Sequence, residues 1–456
     1  MLILCLFAEN KKNLYNDIIK KKAMTTFIGG VHPHYNKITR KSRIEVAKLP
    51  KKGILPLQQH TGAVCEPLVK AGDFVKVGQK IAESKAFVSA PIHASISGKV
   101  IGIAKSSHPV LGECNSIIIE SDGKIEWHES VKKRENADKL TAKEIIDIVK
   151  EAGIVGLGGA AFPTHVKLSP SAEKKIDTLI LNGAECEPYL TCDNRLMMEK
   201  PDEIIKGLKL IAKALNASNV FIGIEDNKQD AAAYLGAKLE KDDKHIKVIT
   251  LKTKYPEGAE KMLIHAITKR KVPAGGLPMD VGCVVSNVQT AKAVYDAVYE
   301  GKPLIERVVT ITGDVNEPKN MLVKLGTPFK DLIEQCGGYK EEPKKIINGG
   351  PMMGIAQITD SVPVIKGISG IVVLGETEKH EEEPCIRCAR CVDSCPMFLM
   401  PTTIAQYADK EDYDMAEKYF AMDCFECGCC AYICPSKIPL VEKIKKAKAK
   451  IMEMRK

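Results

Sequence analysis

Eight cysteines near the C-terminal end of the chain have a spacing that binds metal clusters. Cys385-x-x-Cys388-x-x-Cys391-x-x-x-Cys395 precedes a proline, and Cys424-x-x-Cys427-x-x-Cys430-x-x-x-Cys434 repeats both the spacing and the proline. Three thiolates in one tight loop can ligate three irons of a cubane, while the cysteine before proline ligates the other cluster when two are present. We therefore predict two [4Fe–4S] clusters. Their ligands are Cys385, Cys388, Cys391 and Cys434 for the first and Cys424, Cys427, Cys430 and Cys395 for the second.

The distribution of cysteines supports this interpretation over zinc or disulfides. Nine of the 16 cysteines lie between Cys385 and Cys434. Zinc also binds Cys-x-x-Cys pairs, but two full cluster repeats exceed the four ligands of a zinc site. A chain with dense Cys-x-x-Cys runs and no secretory signal indicates metal binding in a reducing compartment. Cys429 lies outside the repeat and is interpreted as a packed thiol.

A glycine-rich stretch, GIVGLGGAAFPTHVK at residues 153–167, is a candidate nucleotide loop. Its glycines, Gly156, Gly158 and Gly159, allow the backbone N–H groups to approach a phosphate or a flat ring. Phe162 offers a stacking face and Lys167 a positive charge. Such a loop by itself is equally compatible with an ordinary turn.

Three further segments favour a nucleotide site. NGAECEP (residues 182–188) follows a strand-like run at 178–181, so its polar groups are expected at the carboxyl end of a strand, where open α/β sheets bind ligands. YPEGAE (255–260) and SNVQT (286–290) follow later in the chain. This combination resembles the flavin-binding subunit of respiratory complex I and related hydrogenases, in which equivalent segments surround FMN and NADH.

The resemblance extends from about residue 27 to residue 451. The stretches FIGGVHP, SAPIHASISGKV, GLGGAAFPTHVK, NGAECEP and GGPMMG, together with the double cysteine repeat, resemble the RnfC family, the C subunits of Rnf-type electron transport complexes. This resemblance implies non-covalently bound FMN, NADH or NAD⁺ as a second ligand, and two [4Fe–4S] clusters.

The same resemblance implies the roles of individual residues. The residues expected to hold FMN are Gly156, Gly158, Lys167, Asn182 and Asn287, with Glu185 beside them, and Gly159 and Gly258 are further cofactor-binding candidates. Phe162 is expected to stack on the nicotinamide side, and Glu187 and Glu260 to bind NADH. No residue is assigned as catalytic, because hydride transfer needs no protein acid or base. The chain departs from the complex I pattern at Ala184, Ala259 and Ser286, which removes polar ligands.

The elements that must position these residues form a multidomain α+β chain. After an extension at residues 1–24, expected to be disordered, we predict a β module at 25–135, which the resemblance implies is a barrel-sandwich hybrid, and a Rossmann-like α/β domain at 136–302, which it implies binds FMN and NADH. A β-grasp (SLBB) domain is expected at 303–375, a helical ferredoxin-like domain with two clusters at 384–440, and a basic tail at 441–456. Lys85, near the prosthetic-group position of lipoyl-type domains, is interpreted as an exposed hairpin lysine.

Periodicity and capping signals predict the elements within these modules. Thr141 begins a capping box before a helix, and strands and helices then alternate to residue 250, which favours a mostly parallel sheet. The expected helices are 201–215, 229–239, 328–336, 402–408 and 413–421, and the expected strands of the sheet are 178–181, 220–224 and 247–250. In the β module we expect strands at 63–69, 79–83, 87–90, 98–103 and 116–120.

Composition excludes several classes of protein. With 45% hydrophobic and 27% charged residues, the chain is neither disordered nor collagen-like. No run reaches the about 20 apolar residues of a membrane helix, and Met1–Ala8 is too short for an anchor or signal peptide. Residues 1–52 carry a net charge of +9 and residues 437–456 one of +6, so the stretch between them carries −6, and we expect no nucleic-acid binding. The basic C-terminal end serves either solubility or docking to an acidic partner or anionic lipid.

The resemblance implies a subunit of a ferredoxin:NAD⁺ oxidoreductase that passes electrons between NAD(H) and ferredoxin-side partners. Its expected partners are the other Rnf subunits and ferredoxin or a ferredoxin-like subunit. Its expected location is peripheral, on the cytoplasmic face of the cell membrane, without a transmembrane segment. Two alternatives remain open: a soluble diaphorase-type subunit of a hydrogenase or formate dehydrogenase, and a non-catalytic iron–sulfur scaffold.

Overall fold

The first described segment of the chain contacts several modules. The computed structural model describes residues 25–171, 173–376 and 381–455, so the extension predicted at 1–24 lies outside the described residues. Gly30 N donates to Ser394 O (2.8 Å), and Val31 forms a bridge with Tyr255. Strand β1 (Ile44–Val46) then pairs in parallel with residues 320–322. Residues 25–46 thus connect distant parts of the chain.

Two small antiparallel sheets form the predicted barrel-sandwich module. Their strands are β2 (Lys52–Pro56), β3 (Glu66–Pro67), β4 (Phe74–Val75), β5 (Lys80–Glu83), β6 (Ile92–His93), β7 (Gly98–His108) and β8 (Gly112–Ser121). The sheets have the orders β2-β8-β7-β4 and β3-β5-β6, and Ile81, Ile96 and Ile117 are fully buried between them. Lys85 is exposed in the β5–β6 connection.

One predicted strand of this module is wrong. Residues 87 and 88 form a bend and residues 89 and 90 form no regular element, and the strand predicted at 63–69 is limited to β3 (Glu66–Pro67). Phe87 turns outward, its ring 5.7 Å from that of His165 in an edge-on contact, and its carbonyl accepts a hydrogen bond from His165 Nε2. Phe87 therefore contacts the neighbouring module, whereas Val88 O accepts from Ala63 N (2.9 Å) within its own module, and the run does not pair within a sheet.

The following module alternates helices and parallel strands, as predicted. Its helices are α1 (Ala142–Glu151), α2 (Thr164–Lys167), α3 (Cys192–Glu199), α4 (Pro201–Leu215), α5 (Gln229–Ala237), α6 (Glu260–Thr268) and α7 (Val288–Tyr299). Its strands are β9 (Thr178–Asn182), β10 (Asn219–Glu225), β11 (Ile246–Leu251) and β12 (Cys283–Asn287). The predicted capping box holds the start of α1, where Thr141 and Glu144 bond each other's backbone N–H groups.

The strand order of this sheet determines where a ligand can bind. The order is β11-β10-β9-β12, with every pair parallel. The chain moves outward from β9 to β11 and then returns to the opposite side of β9, so the order reverses between β9 and β12. Open α/β sheets bind ligands at such a reversal, outside the carboxyl ends of the strands. Asn182 and Asn287 end these two strands and are register partners.

A six-stranded mixed sheet forms the predicted β-grasp module. Its elements are β13 (Glu306–Gly313), β14 (Lys319–Lys324), α8 (Phe329–Gln335), β15 (Lys345–Asn348), β16 (Ile355–Gln357) and β17 (Gly370–Leu374). The strand order is β1-β14-β13-β17-β15-β16. The first strand comes from the N-terminal segment, which the sequence places in the barrel-sandwich module.

The cysteine repeats lie in a helical module. Its helices are α9 (Arg390–Asp393), α10 (Pro401–Asp409), α11 (Tyr413–Lys418), α12 (Cys429–Ile433) and α13 (Leu440–Met454). The segment expected to be a basic tail is the helix α13, whose Ile444, Ala447 and Ile451 are buried against α10 and α11. This helix is amphipathic, so its lysines occupy the outer face of a packed element. Among the described residues, no helix is long and apolar enough to span a membrane.

A buried lysine links three of the modules. Lys366 is completely buried, and its Nζ donates to Pro91 O (2.6 Å) in the barrel-sandwich module and to Gly153 O (2.7 Å) beside the glycine-rich loop. Burial lowers the pKa of Lys366 to about 7. Carbonyl partners compensate in part for removing this polar group from water.

The close approach of α4 and α7 gives a test of this packing. A Cβ at Gly207 of α4 would lie 1.8 Å from Ala291 O of α7. We therefore expect Gly207→Ala to push the helices apart and to lower the free energy of unfolding by about 3 kcal/mol. Thermal unfolding measures the change. Gly236→Ala on α5 is the matched control: its Cβ would meet only Val248 Cγ2 at 3.9 Å, so a gain of about 0.5–1 kcal/mol is expected. Equal effects of the two substitutions would contradict the packing.

Candidate nucleotide cavity and cysteine clusters

The predicted nucleotide-binding residues surround one cavity at the carboxyl edge of the parallel sheet. Its volume is about 970 Å³, at the upper end of the range for small-molecule sites. All eleven residues predicted from the sequence line it. They are Gly156, Gly158, Gly159, Phe162, Lys167, Asn182, Glu185, Glu187, Gly258, Glu260 and Asn287. The barrel-sandwich module, the β-grasp module and Phe425 of the cysteine module complete the wall.

The glycine-rich loop exposes unpaired backbone N–H groups to the cavity wall. Gly156 N donates to Phe162 O (2.8 Å), which closes the loop on itself. Between these residues, the N–H groups of residues 158–161 have no hydrogen-bond partner among the described residues. Gly159 has a φ of +119°, and a Cβ there would meet no atom within 4 Å. The loop therefore has the donors and the open backbone that phosphate binding requires.

The two strand-end asparagines hold neighbouring loops in place. Asn182 Nδ2 donates to Gly258 O (2.8 Å), which fixes the loop before α6. Asn287 Nδ2 donates to Asp193 Oδ2 (2.7 Å), and its Oδ1 caps α7 by accepting from Gln289 N. Both side-chain amides are thus engaged with the protein. They shape the cavity wall by positioning the residues around them.

A carboxylate pair lies at the start of α3. Glu185 Oε1 accepts from Asp193 N (2.7 Å), and Asp193 itself accepts from Asn287 and from Gln289 Nε2 (2.8 Å). Burial raises the pKa of Glu185 to about 7, although the positive charge of Lys37 opposes the shift.

Glu187 contacts the β-grasp module directly. Its Oε1 accepts from Met353 N (2.8 Å) and its Oε2 from Met352 N (3.1 Å). A Cβ at Gly350 would lie 2.2 Å from Glu187 Oε2, which explains the glycine there. Burial raises the pKa of Glu187 to about 7. The sequence assigns this carboxylate to NADH, whereas in the structure both of its oxygens hold the loop at 350–353.

The remaining polar groups of the wall fit a ligand rich in hydroxyl, amide and phosphate groups. Lys167 Nζ forms an ion pair with Glu260 (2.8 Å), which leaves both groups partly exposed to the cavity. Two hydroxyls of the wall, Ser286 Oγ and Thr164 Oγ1, are buried without a partner among the described residues. Buried polar atoms are normally hydrogen-bonded, so unpaired ones around a cavity are those a ligand would satisfy. The residues therefore fit FMN and a nicotinamide dinucleotide.

The second cysteine set lies within the packed helical module. Cys427 and Cys430 are buried, and Cys395 is 9% exposed. Burial and the neighbouring thiols Cys427 and Cys395 raise the pKa of Cys424 to about 11. This proximity of Cys395 to the second repeat supports the predicted crossed set. Cys429 is fully buried in one cluster with Val31, Tyr255 and the repeat cysteine Cys427, and its Sγ donates to Tyr255 O (3.9 Å), which is compatible with a packed thiol.

The first cysteine set is more open to solvent. Cys385 and Cys388 are exposed, whereas Cys391 and Cys434 are buried and share one apolar cluster. Ser436 holds the two chain segments together, since its Oγ donates to Pro384 O (3.0 Å) and its carbonyl accepts from Glu383 N. This contact brings the chain beside Cys385 to the chain beside Cys434, as their shared set requires.

The two repeats have the same backbone conformation as well as the same spacing. In each repeat φ is positive at three positions. They are the second and the fourth residue after the first cysteine of the repeat, and the third residue after its last cysteine. These left-handed positions are Arg387, Ala389 and Phe398 in the first repeat and Glu426, Gly428 and Lys437 in the second. In each repeat the N–H of the left-handed residue after the first cysteine donates to that cysteine's Sγ at 3.4 Å. N–H···S bonds of this kind stabilise thiolates and affect cluster potential.

A thin layer of side chains separates the cavity from the second cysteine set. Tyr255 lines the cavity, and its hydroxyl donates to Cys427 O (2.8 Å). Phe425, adjacent in sequence to Cys424, lines the same cavity. Cys186 packs with both aromatic residues in one cluster. The candidate nucleotide site and the candidate cluster site thus share a wall.

Several residues of the site were not identified from the sequence. Lys37 Nζ donates to three carbonyls, those of Glu185, Glu187 and Leu190, at 2.6–2.9 Å. Its removal from water lowers the pKa of this lysine. Asp193 and Gln289 also form hydrogen bonds within the cavity wall. Of these residues, only Asp193 could have been identified from the local sequence, because it lies at the start of a helix. Lys37 lies about 150 residues from its partners, and no local pattern predicts such a contact.

Characterised relatives match most of the chain. The C subunit of the proton-translocating ferredoxin:NAD(+) oxidoreductase complex of Clostridium ljungdahlii is 51% identical over 405 residues, which are 88% of each chain. The C subunit of the Na(+)-translocating complex of Acetobacterium woodii is 46% identical over 94% of this chain and 98% of its own. A crystal structure of an NAD⁺-reducing [NiFe]-hydrogenase shares the fold with a TM-score of 0.50 and 19% identity, over 69% of this chain and 63% of that chain.

Four family profiles match successive parts of the chain. They are the RnfC barrel sandwich hybrid domain at 25–124, the Nuo51 FMN-binding domain at 149–296, the SLBB domain at 308–356 and the 4Fe-4S dicluster domain at 377–435. Fold and site therefore define a subunit that binds FMN and two [4Fe–4S] clusters, and the cofactor prediction is confirmed. Together with its relatives, the chain belongs to the RnfC family, the C subunits of Rnf-type ion-translocating ferredoxin:NAD⁺ oxidoreductase complexes.

Glu257, next to the cavity residue Gly258, gives a pH-dependent prediction. It is fully buried, accepts from Thr26 Oγ1 (3.0 Å), and its pKa is raised by burial from 4.5 to about 8. Between pH 4.5 and about pH 8, Glu257 keeps its proton in the folded chain and loses it in the unfolded chain. The free energy of unfolding therefore falls as pH rises through this range. Glu257→Gln should remove this dependence and stabilise the protein by roughly 1–3 kcal/mol at about pH 8.5, as measured by thermal unfolding.

The control for this substitution is the exposed carboxylate Glu66 on β3. Glu66→Gln should leave the pH dependence of thermal unfolding unchanged. A loss of stability in Glu257→Gln at about pH 8.5 would show that the carboxylate is stabilised when ionised, contrary to its surroundings.

Adjacent cysteines test the cluster ligands. Cys430→Ser should reduce iron from about eight to about four atoms per chain after anaerobic reconstitution, because it removes a ligand of the second set. Cys429→Ser is the matched control and should keep about eight irons, since this thiol packs against Tyr255. Iron analysis of the two purified variants measures the difference. Equal iron in both would contradict the ligand assignment.

Proposed function

We propose that this chain transfers electrons between NAD(H) and the ferredoxin-side subunits of a membrane-bound, ion-translocating complex, through FMN and two [4Fe–4S] clusters. The observation that carries the proposal is the wall shared by the nucleotide cavity and the second cysteine set. Tyr255 belongs to both sites, since it lines the cavity and bonds Cys427 O. Electron transfer between two sites in one chain requires such proximity.

The burial of the cysteines supports an order for the sites. The set Cys424, Cys427, Cys430 and Cys395 adjoins the cavity and is mostly buried. In the other set Cys385 and Cys388 are exposed, and no residue of the first repeat lines the cavity. In this proposal the buried set stands between the cavity and the exposed set, and the exposed set faces the redox partner.

The cavity residues divide into those that bind and those that position. FMN, when bound, supplies the conversion of a hydride into single electrons. The N–H groups of the glycine-rich loop and Lys167 are the proposed contacts for its phosphate and ring, with Ser286 Oγ as a further donor. Phe162 and Glu260 are proposed to face the dinucleotide. Asn182, Asn287 and Glu187 position the surrounding loops, because their polar atoms already bond protein groups.

The proposed location is the cytoplasmic face of the membrane, with attachment through partner subunits. Two of the relatives are named as subunits of complexes that translocate protons or Na⁺, and ion transport in this system is proposed to belong to partners. Several lysines of α13 already form ion pairs within the module, such as Lys443 with Glu382 and Asp409. Because α13 also supplies core residues, removing it would unfold the cluster module and would not test docking alone.

Anaerobic reconstitution tests the proposed function. The full chain is supplied with iron, sulfide and FMN, and its spectrum is followed as NADH is added. We expect bleaching of the flavin and then of the iron–sulfur absorbance. Flavin bleaching without reduction of any cluster would refute the internal electron route, and the absence of flavin bleaching would favour a scaffold.

Two cysteine substitutions test the order of the sites. In Cys388→Ser, NADH should still reduce the cluster of the buried set, while electron transfer to added ferredoxin should fall about tenfold or more, because the exposed site is lost. In Cys430→Ser, the remaining cluster should no longer be reduced by NADH. Electron paramagnetic resonance of NADH-treated samples measures both. Unimpaired reduction of the exposed cluster in Cys430→Ser would contradict the order.

A further inference from the structure

The barrel-sandwich module contributes a buried side-chain amide to the nucleotide cavity. Gln59 follows β2, lines the cavity and is 1% exposed. Neither its Nε2 nor its Oε1 has a hydrogen-bond partner among the described residues. A buried amide with both atoms unpaired costs free energy, and such groups are rare in folded proteins. This residue lies outside the range matched by the FMN-binding domain profile, which begins at residue 149.

The segment that carries Gln59 is held firmly against the glycine-rich loop. Thr61 N donates to Ala161 O (3.1 Å) and Thr61 Oγ1 to Ala160 O (2.9 Å). On the other side, His108 Nε2 bonds Gln58 O (2.9 Å), while its Nδ1 accepts from Val110 N and Leu111 N. These contacts fix residues 58–61 as a wall of the cavity. The backbone that carries the amide is therefore positioned before any ligand binds.

The chemistry of the amide indicates what it recognises. A primary amide offers one acceptor and two donors in a plane, so its complement is a flat edge with an adjacent N–H and C=O. We propose that Gln59 pairs with such an edge of the bound cofactor or substrate, so that the barrel-sandwich module is part of the recognition site. Two cavity ligands have this edge: the imide of the FMN ring and the carboxamide of NAD(H). The inference rests on the proposed function for the identity of these ligands.

Substitution of Gln59 by methionine separates ligand recognition from a structural role. Gln59→Met keeps the length of the side chain and removes both polar atoms. Without FMN or NADH, its melting temperature should equal or exceed that of the wild type, because an unpaired buried amide is lost. A contact that stabilises the fold would give the opposite sign. Gln406→Met, at an exposed glutamine on α10, is the control and should change nothing.

Binding measurements identify the edge. FMN affinity is measured by fluorescence quenching, and NADH affinity by anaerobic calorimetry at saturating, fully reduced FMN, which cannot accept a hydride. If Gln59 pairs with the imide, Gln59→Met weakens FMN binding by about tenfold to a hundredfold. If it pairs with the carboxamide, FMN binding is kept and NADH binding falls by a similar factor. In that case the wild type prefers NADH over reduced 3-acetylpyridine adenine dinucleotide, which lacks the amide N–H, and the variant loses this preference.

The inference is overturned if Gln59→Met binds both ligands with wild-type affinity, because the amide is then satisfied by internal water. It is also overturned if the variant melts at a lower temperature while both affinities stay unchanged. These outcomes differ from failure of the proposed function. If the wild type itself binds neither FMN nor NADH, the assignment of the cavity fails, whatever the variant does.

Discussion

The parallel register between β9 and β12 fixes the position of the whole nucleotide site. It places Asn182 beside Asn287 at the carboxyl edge, where the strand order reverses. From there, one amide reaches the loop before α6 and the other reaches Asp193 at the start of α3. Any slip of this register would separate the two loops, because neighbouring side chains in a strand point to opposite faces. The cavity therefore depends on a pairing formed by residues about a hundred positions apart in the chain.

Most polar side chains around the cavity bond to the protein itself. Lys37 Nζ occupies three carbonyls of the segment that holds Glu185 and Glu187, and Glu187 in turn holds the backbone of Met352 and Met353. Such groups are costly to bury unless they are hydrogen-bonded, so these contacts explain how the wall tolerates so many charges. They also hold the wall in one arrangement. Because most polar atoms of the wall already bond to protein groups, few are left unpaired. Those that remain unpaired, such as Gln59, therefore carry most of the information about the ligand.

Local signals predict the elements and the cysteine sets, whereas contacts between modules are not predictable from them. Helix α4 matches its expected bounds because Pro201 begins it and Asn216, in the left-handed conformation, ends it. All eleven candidate residues could be predicted because the family motifs identify them, and the structure places them around one cavity. By contrast, β1 joins β14 across more than 270 residues, and Lys37 reaches its partners across about 150. The strand predicted at residues 87–90 is wrong: Phe87 contacts His165 of the next module, while Val88 and Ala90 bond to the loop at residues 63–65 of their own module.

The two cysteine repeats share one backbone conformation but differ in their surroundings. This difference distinguishes the side of the module that adjoins the cavity from the side that faces solvent. The second repeat contacts the flavin module through Tyr255, while Gly29 in the N-terminal segment approaches Cys395 so closely that a Cβ there would lie 2.9 Å from its carbonyl. Each cluster is expected to take its fourth ligand from the other repeat. The segment that fixes Cys395 therefore positions a ligand of the buried set and, through the same loop, the exposed set. The segment that packs against Cys395 also bonds Tyr255 through Val31, and so connects a predicted cluster ligand to the cavity wall.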